Sequence, residues 1–299
     1  MMTKQNTRII LSFILVFCLM LFTGCVNNDE TTGTNDAMED VVAEKPVVAV
    51  TIVPEQTFAK AVCGDLAEVI VLVPPGNSPE NYEPTPELME KFSQASLYFS
   101  IGVPTEAANI LPNAGNVKIV SLQNEVAAVY SERTFASGER DPHIWLSPKR
   151  AKVMVETIAN EMCELDPANA DAYNANAAAY VSQLDELDQY ITAALEGVQN
   201  KKFIVYHPAF GYLAEDYGLV MFALEEEGKE ATPQHLQDMI DLAKNENIKV
   251  IFYQEEIDSS QSEAFAEELD GETIQLAPLA ADYIDNLKRM ADTMAEAMR

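Results

Sequence analysis

Histidine, cysteine and positive charge are all scarce in this 299-residue chain, and each scarcity removes a class of function. Lysine and arginine number 19 against 48 aspartates and glutamates, a formal charge of −29. Such a chain has few cations to neutralise a phosphate backbone, so nucleic acid is excluded as a partner. The acidity reads first as a solvated surface that keeps the chain soluble. There are only three histidines and no HExxH helix, which argues against a zinc protease of that type. The four cysteines stand at 18, 25, 63 and 163, with no CxxC spacing for a thiolate metal site. Cys63 and Cys163 are either buried apolar thiols or one disulfide in an oxidising exterior. Long apolar runs are also missing, except at the start.

That exception is Ile9 to Phe22, preceded by Lys4 and Arg8 and ending in Leu21-Phe22-Thr23-Gly24-Cys25. It is too short for a comfortable membrane span, and the small residues before the cysteine fit a lipoprotein-type signal, although Phe22 stands where leucine is usual. Residues 1–24 are therefore expected to be a cleaved signal peptide, with lipidation of Cys25 anchoring the chain to the cell membrane on its extracytoplasmic side. Residues 25–45 are rich in Asn, Asp, Glu and Thr and nearly free of large apolar side chains, the composition of a disordered tether.

From Pro46 onward, short β-branched and aromatic runs alternate with helical stretches. They are Val47–Ile52, Val69–Val73, Leu97–Ile101 and Val117–Val120, then Phe203–Tyr206, Leu219–Phe222, Lys249–Tyr253 and Thr273–Leu276. This alternation predicts an α/β fold with mostly parallel sheets. Thr85-Pro86, Ser147-Pro148, Asp166-Pro167 and Thr232-Pro233 each place an oxygen-bearing N-cap before a proline suited to the first helical position. Between the two sets of four strands, Asp166 to about Glu196 is alanine-rich, with Tyr173, Tyr180, Leu184, Leu187 and Ile191 at helical spacing, and predicts one long rigid helix. Two α/β lobes follow, at 46–165 and 198–299, joined by a linking helix at 166–197.

Two of the histidines lie in short, distinctive segments in opposite halves: Asp141-Pro142-His143-Ile144-Trp145-Leu146-Ser147-Pro148 and Tyr206-His207-Pro208-Ala209-Phe210-Gly211-Tyr212. His207 follows a predicted strand directly, where open α/β sheets collect ligands. Each alone would read as a hydrogen-bonded structural residue; as a pair they suggest a shared site. These segments resemble the two histidine motifs of the zinc/manganese solute-binding proteins of ABC transporters. A third, Pro74 to Pro86 with Glu80-Asn81-Tyr82-Glu83-Pro84 at its centre, resembles that family's first metal loop, usually Pro-His-x-Tyr. The resemblance runs from about Val47 to Met298. It implies a binding protein, not an enzyme, that catches a divalent ion between its lobes and delivers it to a permease driven by a partner ATPase, working as a monomer.

Two positions depart from that pattern. Glu80 stands where the family usually has its first histidine ligand, and Ala277 where many members have a late aspartate. Zinc and manganese both accept mixed imidazole and carboxylate sets, so Glu80 can serve as an oxygen ligand beside His143 and His207. A fourth ligand must be water or another side chain, and Gln254, Glu255 and Glu256, at the end of the strand Lys249–Tyr253, are the candidates. Zinc is the expected cargo and manganese the alternative, since each exchange of nitrogen for carboxylate oxygen hardens the site. The histidine-rich loop of some zinc-binding relatives has no counterpart in 124–140. His235 is expected to be a surface residue, and the run Glu225-Glu226-Glu227 a solvated turn. A secreted zinc hydrolase built on His143 and His207 is a remoter alternative, because no nucleophile or oxyanion motif accompanies them. An adhesin acting through an exposed face of the same fold is a further possible role.

Overall fold

Among the described residues, eight short strands form two separate four-stranded sheets, with every pairing within the sheets parallel. The computed structural model describes residues 45–225, 231–256 and 260–299. The expected signal segment, Cys25, nearly all of the tether, and Glu226 and Glu227 lie outside the described residues.

The first sheet comprises β1 (Val47–Val50), β2 (Glu68–Val71), β3 (Leu97–Ser100) and β4 (Lys118–Ser121), in the order β2-β1-β3-β4. The second comprises β5 (Lys202–Val205), β6 (Val220–Ala223), β7 (Val250–Gln254) and β8 (Glu272–Leu276), in the order β6-β5-β7-β8. The chain thus runs through one topological plan twice. Both sheets are covered by crossover helices, as parallel strands require. The helices are α1 (Val53–Cys63), α2 (Pro86–Phe92), α3 (Leu122–Ala127), α4 (Pro148–Leu165), α5 (Ala170–Glu196), α6 (Gly211–Asp216), α7 (Pro233–Asn245), α8 (Ser260–Glu267) and α9 (Tyr283–Ala297).

Three of the four helix starts expected at an N-cap before proline form as read. Thr85, Ser147 and Thr232 accept hydrogen bonds from the backbone N–H of Leu88, Arg150 and His235. Asp166 behaves differently: Pro167–Asn169 is a 3-10 turn, and the Asp166 carboxylate accepts from Asn169 Nδ2 and the Tyr173 hydroxyl instead of capping α5. The long helix α5 is about 40 Å from end to end. Its buried stripe is Tyr173, Ala177, Tyr180, Leu184, Leu187, Ile191 and Leu195, and it packs on α1 and α4 before it and on α9 after it. One apolar cluster runs through this helix from Val48 and Phe99 of the first sheet to Phe203 and Phe252 of the second. A shared core of that kind resists independent movement of the lobes, because separating them would expose apolar surface at about 25 cal/mol per Å². None of the helices among the described residues is long and apolar enough to cross a membrane.

The two thiols that sequence left open form no disulfide: Cys63 is buried and Cys163 half-buried. Burial pushes the Cys63 thiol up to about 12.

Below the carboxyl end of the first sheet lies a group of buried polar side chains that the sequence did not single out. Glu55 accepts from the backbone N–H of Thr51 and Ile52, both at 3.0 Å. Glu106 accepts from the N–H of Ile101 and Gly102, both at 2.8 Å, and from the Thr51 hydroxyl. Burial raises the Glu55 carboxyl well above the usual range, and the charge of Glu106 raises it further. The Glu106 carboxyl is raised as well, by burial, against the pull of its hydrogen bonds.

Candidate metal centre

Three chain segments deliver one candidate ligand each. The loop after β2 turns at Gly76, whose φ of +81° is left-handed and favours glycine, and carries Glu80 toward the space between the sheets. That loop is held from outside. Thr105 N–H donates to the Pro79 carbonyl at 3.1 Å, and the Tyr82 carbonyl accepts from the Thr105 hydroxyl and from Asn109 Nδ2. His143 sits between a short antiparallel bridge, Thr134 with Arg140, and a 3-10 turn at Ile144–Leu146. His207 lies two residues beyond the end of β5, at the carboxyl edge of the second sheet.

Glu80, His143 and His207 converge, with one donor atom from each within 4.8 Å of the others. His143 Nε2 and His207 Nε2 are 3.2 Å apart, and Glu80 Oε1 lies 3.7 Å from His207 Nε2. His143 and His207 are each only 3% exposed and Glu80 is half-buried. In a tetrahedral zinc site with bonds of about 2.0–2.1 Å, two nitrogen ligands stand about 3.3 Å apart. The histidine pair already has that separation.

The far side of each ring is occupied by a carboxylate. Asp141 Oδ1 accepts from His143 Nδ1 at 2.8 Å and from the His143 backbone N–H at 3.0 Å. Glu225 Oε1 accepts from His207 Nδ1. An ionised carboxylate can only accept, so the proton of each neutral ring is placed on Nδ1 and the lone pair on Nε2. Two lone pairs therefore face each other in a buried space, with a carboxylate oxygen beside them. Histidine metal ligands are commonly oriented by an outer carboxylate in this way.

The Glu225 contact corrects the sequence reading of a solvated turn. Glu225 is 8% exposed, because it stands two residues past β6, the strand paired with β5 in parallel register, with Val205 opposite Ala223. Equal steps beyond two paired strands put His207 and Glu225 side by side. Comparing the strand ends in the sequence would have found it.

Of the remaining candidates, Glu255 and Glu256 are not part of the convergent group. Glu255 is exposed. Glu256 is half-buried, and one of its carboxylate oxygens has no hydrogen-bond partner among the described residues; burial, then the charge of Glu255, raises its carboxyl. Gln254 ends β7, the other neighbour of β5, and is buried, with no hydrogen-bond partner for its Nε2 among the described residues. Ala277 offers no side-chain donor, and its carbonyl accepts from Asn286 Nδ2 at 2.7 Å. His235 is half-buried rather than fully on the surface, and its Nε2 donates to the Ala223 carbonyl.

Two parallel sheets, a bridging helix and a buried set of nitrogen and oxygen donors between the lobes make a two-lobe metal-binding fold, and the proteins it resembles are substrate-binding components of transport systems rather than enzymes. Residues 48–297 match the family model described as zinc-uptake complex component A, periplasmic. The chain belongs to that family. It is 28% identical over 312 residues to the high-affinity zinc uptake system protein ZnuA of Bacillus subtilis, with 96% of each chain covered. It is 29% identical over 267 residues to the zinc-binding protein AdcA of Streptococcus pyogenes, where it spans only 52% of the longer relative. A ZnuA crystal structure shares 37% identity and a TM-score of 0.80, covering 86% of this chain and all of the other. The solute-binding protein FpvC of Pseudomonas aeruginosa, solved in complex with Mn2+, shares 28% identity and a TM-score of 0.73, covering 85% of this chain and 98% of the other.

Proposed function

We propose that this protein captures one divalent transition metal, zinc, between its lobes and hands it to an ABC permease powered by a partner ATPase. The observation that carries the reading is the pair of Nε2 atoms at 3.2 Å, each ring held at Nδ1 by a carboxylate. Facing lone pairs repel unless a cation lies between them, and only a proton or a metal fits there. Glu80 supplies the third ligand. Water or one of Gln254, Glu255 and Glu256 completes the set. Anchoring through a lipid on Cys25 would hold the protein at the outer face of the membrane, close to the permease. The shared core supports capture by small rocking movements rather than wide closure, so release requires the permease to disturb a ligand loop.

Zinc is supported by two nitrogen donors and by zinc's tighter binding than manganese at such sites. Glu80 in place of a histidine favours manganese, and the Mn2+ complex of the FpvC relative gives that second reading a structural parallel. Elemental analysis of purified protein after mild dialysis tests capture: one metal per chain is expected, and its retention in His207→Ala would overturn the ligand assignment. Cargo is tested by rescue of a deletion strain, where growth restored by manganese but not by zinc would reverse the choice of metal.

A further inference from the structure

We infer that Arg133 is a positioning residue that couples the two histidine segments across the lobes, an inference that rests on the metal-binding reading above. Arg133 belongs to the first lobe and sits opposite Asp141 in a short antiparallel pairing, the Asp141 N–H donating to the Arg133 carbonyl at 3.0 Å. Its guanidinium Nε lies 3.6 Å from Asp141 Oδ2, so one carboxylate holds His143 through one oxygen and faces Arg133 with the other. The same guanidinium crosses to the second lobe, where Nη1 donates to Glu215 Oε2 at 3.0 Å. Glu215 lies on α6, the helix that begins four residues after His207. A second link runs parallel to the first: the Tyr212 hydroxyl, also on α6, accepts from Arg133 N–H at 3.0 Å and donates to the Asp141 carbonyl at 3.1 Å.

Gly211, the first residue of α6, shows how close the packing is. A Cβ there would stand 2.7 Å from Arg133 Nε and 2.8 Å from Asp141 Oδ2, nearer than packed atoms allow, so a side chain at this position would push the guanidinium aside. Below it Arg150, 2% exposed, stacks on the Tyr212 ring at 4.4 Å and donates to Asp216 at 2.9 Å, fixing the end of α6. Arg150 is thus a buried structural ion pair. Arg133, with a third of its side chain exposed, can be exchanged without opening the core, and it alone of the two arginines touches the carboxylate that orients a ligand. Its role is to keep the His143 and His207 segments at the spacing a single ion requires.

The test is zinc affinity, measured by competition with a chromogenic chelator, together with the visible spectrum of the Co2+-loaded protein and thermal unfolding of the metal-free protein. Arg133→Gln is expected to weaken zinc binding about tenfold, at the low end of outer-shell losses, and to alter the Co2+ bands while the metal-free midpoint stays close to wild type. Arg133→Lys, which keeps the charge but not the fork, should recover part of the loss. Glu215→Gln, which also weakens the 3.4 Å contact from Arg150 Nη2, should weaken zinc binding less, and the double variant Arg133→Gln/Glu215→Gln should lose no more zinc affinity than Arg133→Gln alone, since the Arg133–Glu215 link is already broken there. Gly211→Ala keeps every charge but displaces the guanidinium, and should weaken zinc in the same direction. Zinc affinity within twofold of wild type in Arg133→Gln, or strictly additive losses in the double variant, would overturn the coupling while leaving capture intact. A wild-type protein that binds no zinc would fail the capture reading first, and this inference with it.

Discussion

His143 and His207 have the same exposure and the same kind of carboxylate behind the ring, yet different levels of structure hold them. The first is a local device. Asp141 is two residues away and binds both the ring and the backbone N–H of its partner, so a turn of a few residues fixes the geometry. The second is made by the sheet, since Glu225 is eighteen residues from His207 and reaches it only because β5 and β6 pair in register. Local order resists a distant substitution, whereas a contact made by register depends on the whole sheet. One half of the site is therefore held by its own turn and the other half by the second sheet.

Removing either ring should have the largest effect, and the same effect, on both sides of this comparison. His143→Ala and His207→Ala each take away one of two nitrogen donors, and loss of stoichiometric zinc binding is expected in titrations of both. Measurable binding by one variant and none by the other would show that one lobe alone forms the site.

The outer carboxylates should separate the two devices. Glu225→Gln and Asp141→Asn are each expected to weaken zinc binding about 10- to 100-fold, as loss of an outer carboxylate commonly does. Asp141→Asn should also lower the thermal midpoint of the metal-free protein, because the charged carboxylate additionally accepts the His143 backbone N–H and a neutral amide oxygen accepts it less strongly. Equal midpoints in differential scanning calorimetry would remove the distinction between a local and a sheet-borne support.

Acid should act on both rings alike, since protons compete with the metal for the two Nε2 lone pairs. Zinc affinity is expected to fall on acidification, with up to two protons taken up for each metal released. Potentiometric titration with zinc would check this, and a flat profile down to about pH 5 would rule out histidine ligation.

The smallest expected effect is on stability, in the first lobe. Glu55 and Glu106 are both raised above the usual carboxyl range by burial, so the folded state holds their protons more tightly than the unfolded chain does. Their contribution is complete below the unfolded-state value of about 4.3 and is lost as the pH rises through the folded-state values. Glu55→Gln, neutral at every pH, should flatten the decline in denaturant midpoint on the alkaline side. An unchanged slope would show that Glu55 stays ionised in the folded protein.

The order and type of the elements were legible in the chain itself. Each of the eight β-rich runs became a strand within about two residues of its expected place, because alternation of short apolar runs with capped helices is written in neighbouring residues. Glu80, His143 and His207 stood out for the same reason, each within a distinctive short segment. Sequence also exposed what is missing at Ala277, since alanine has no donor in any fold.

What tertiary structure decided is every relation between segments far apart in the chain. It brought Glu80 to the histidine pair, left Glu255 and Glu256 outside that group, and turned Glu225 from an expected surface charge into the partner of His207. It also gives Gly211 its context, since Arg133 and Asp141 meet where its side chain would be. Propensity and capping act over a few residues, and so the sequence determined the strands and helices by itself. Which carboxylates lie buried beside which imidazoles is set by sheet register and lobe packing, and those arise only when the whole chain has folded.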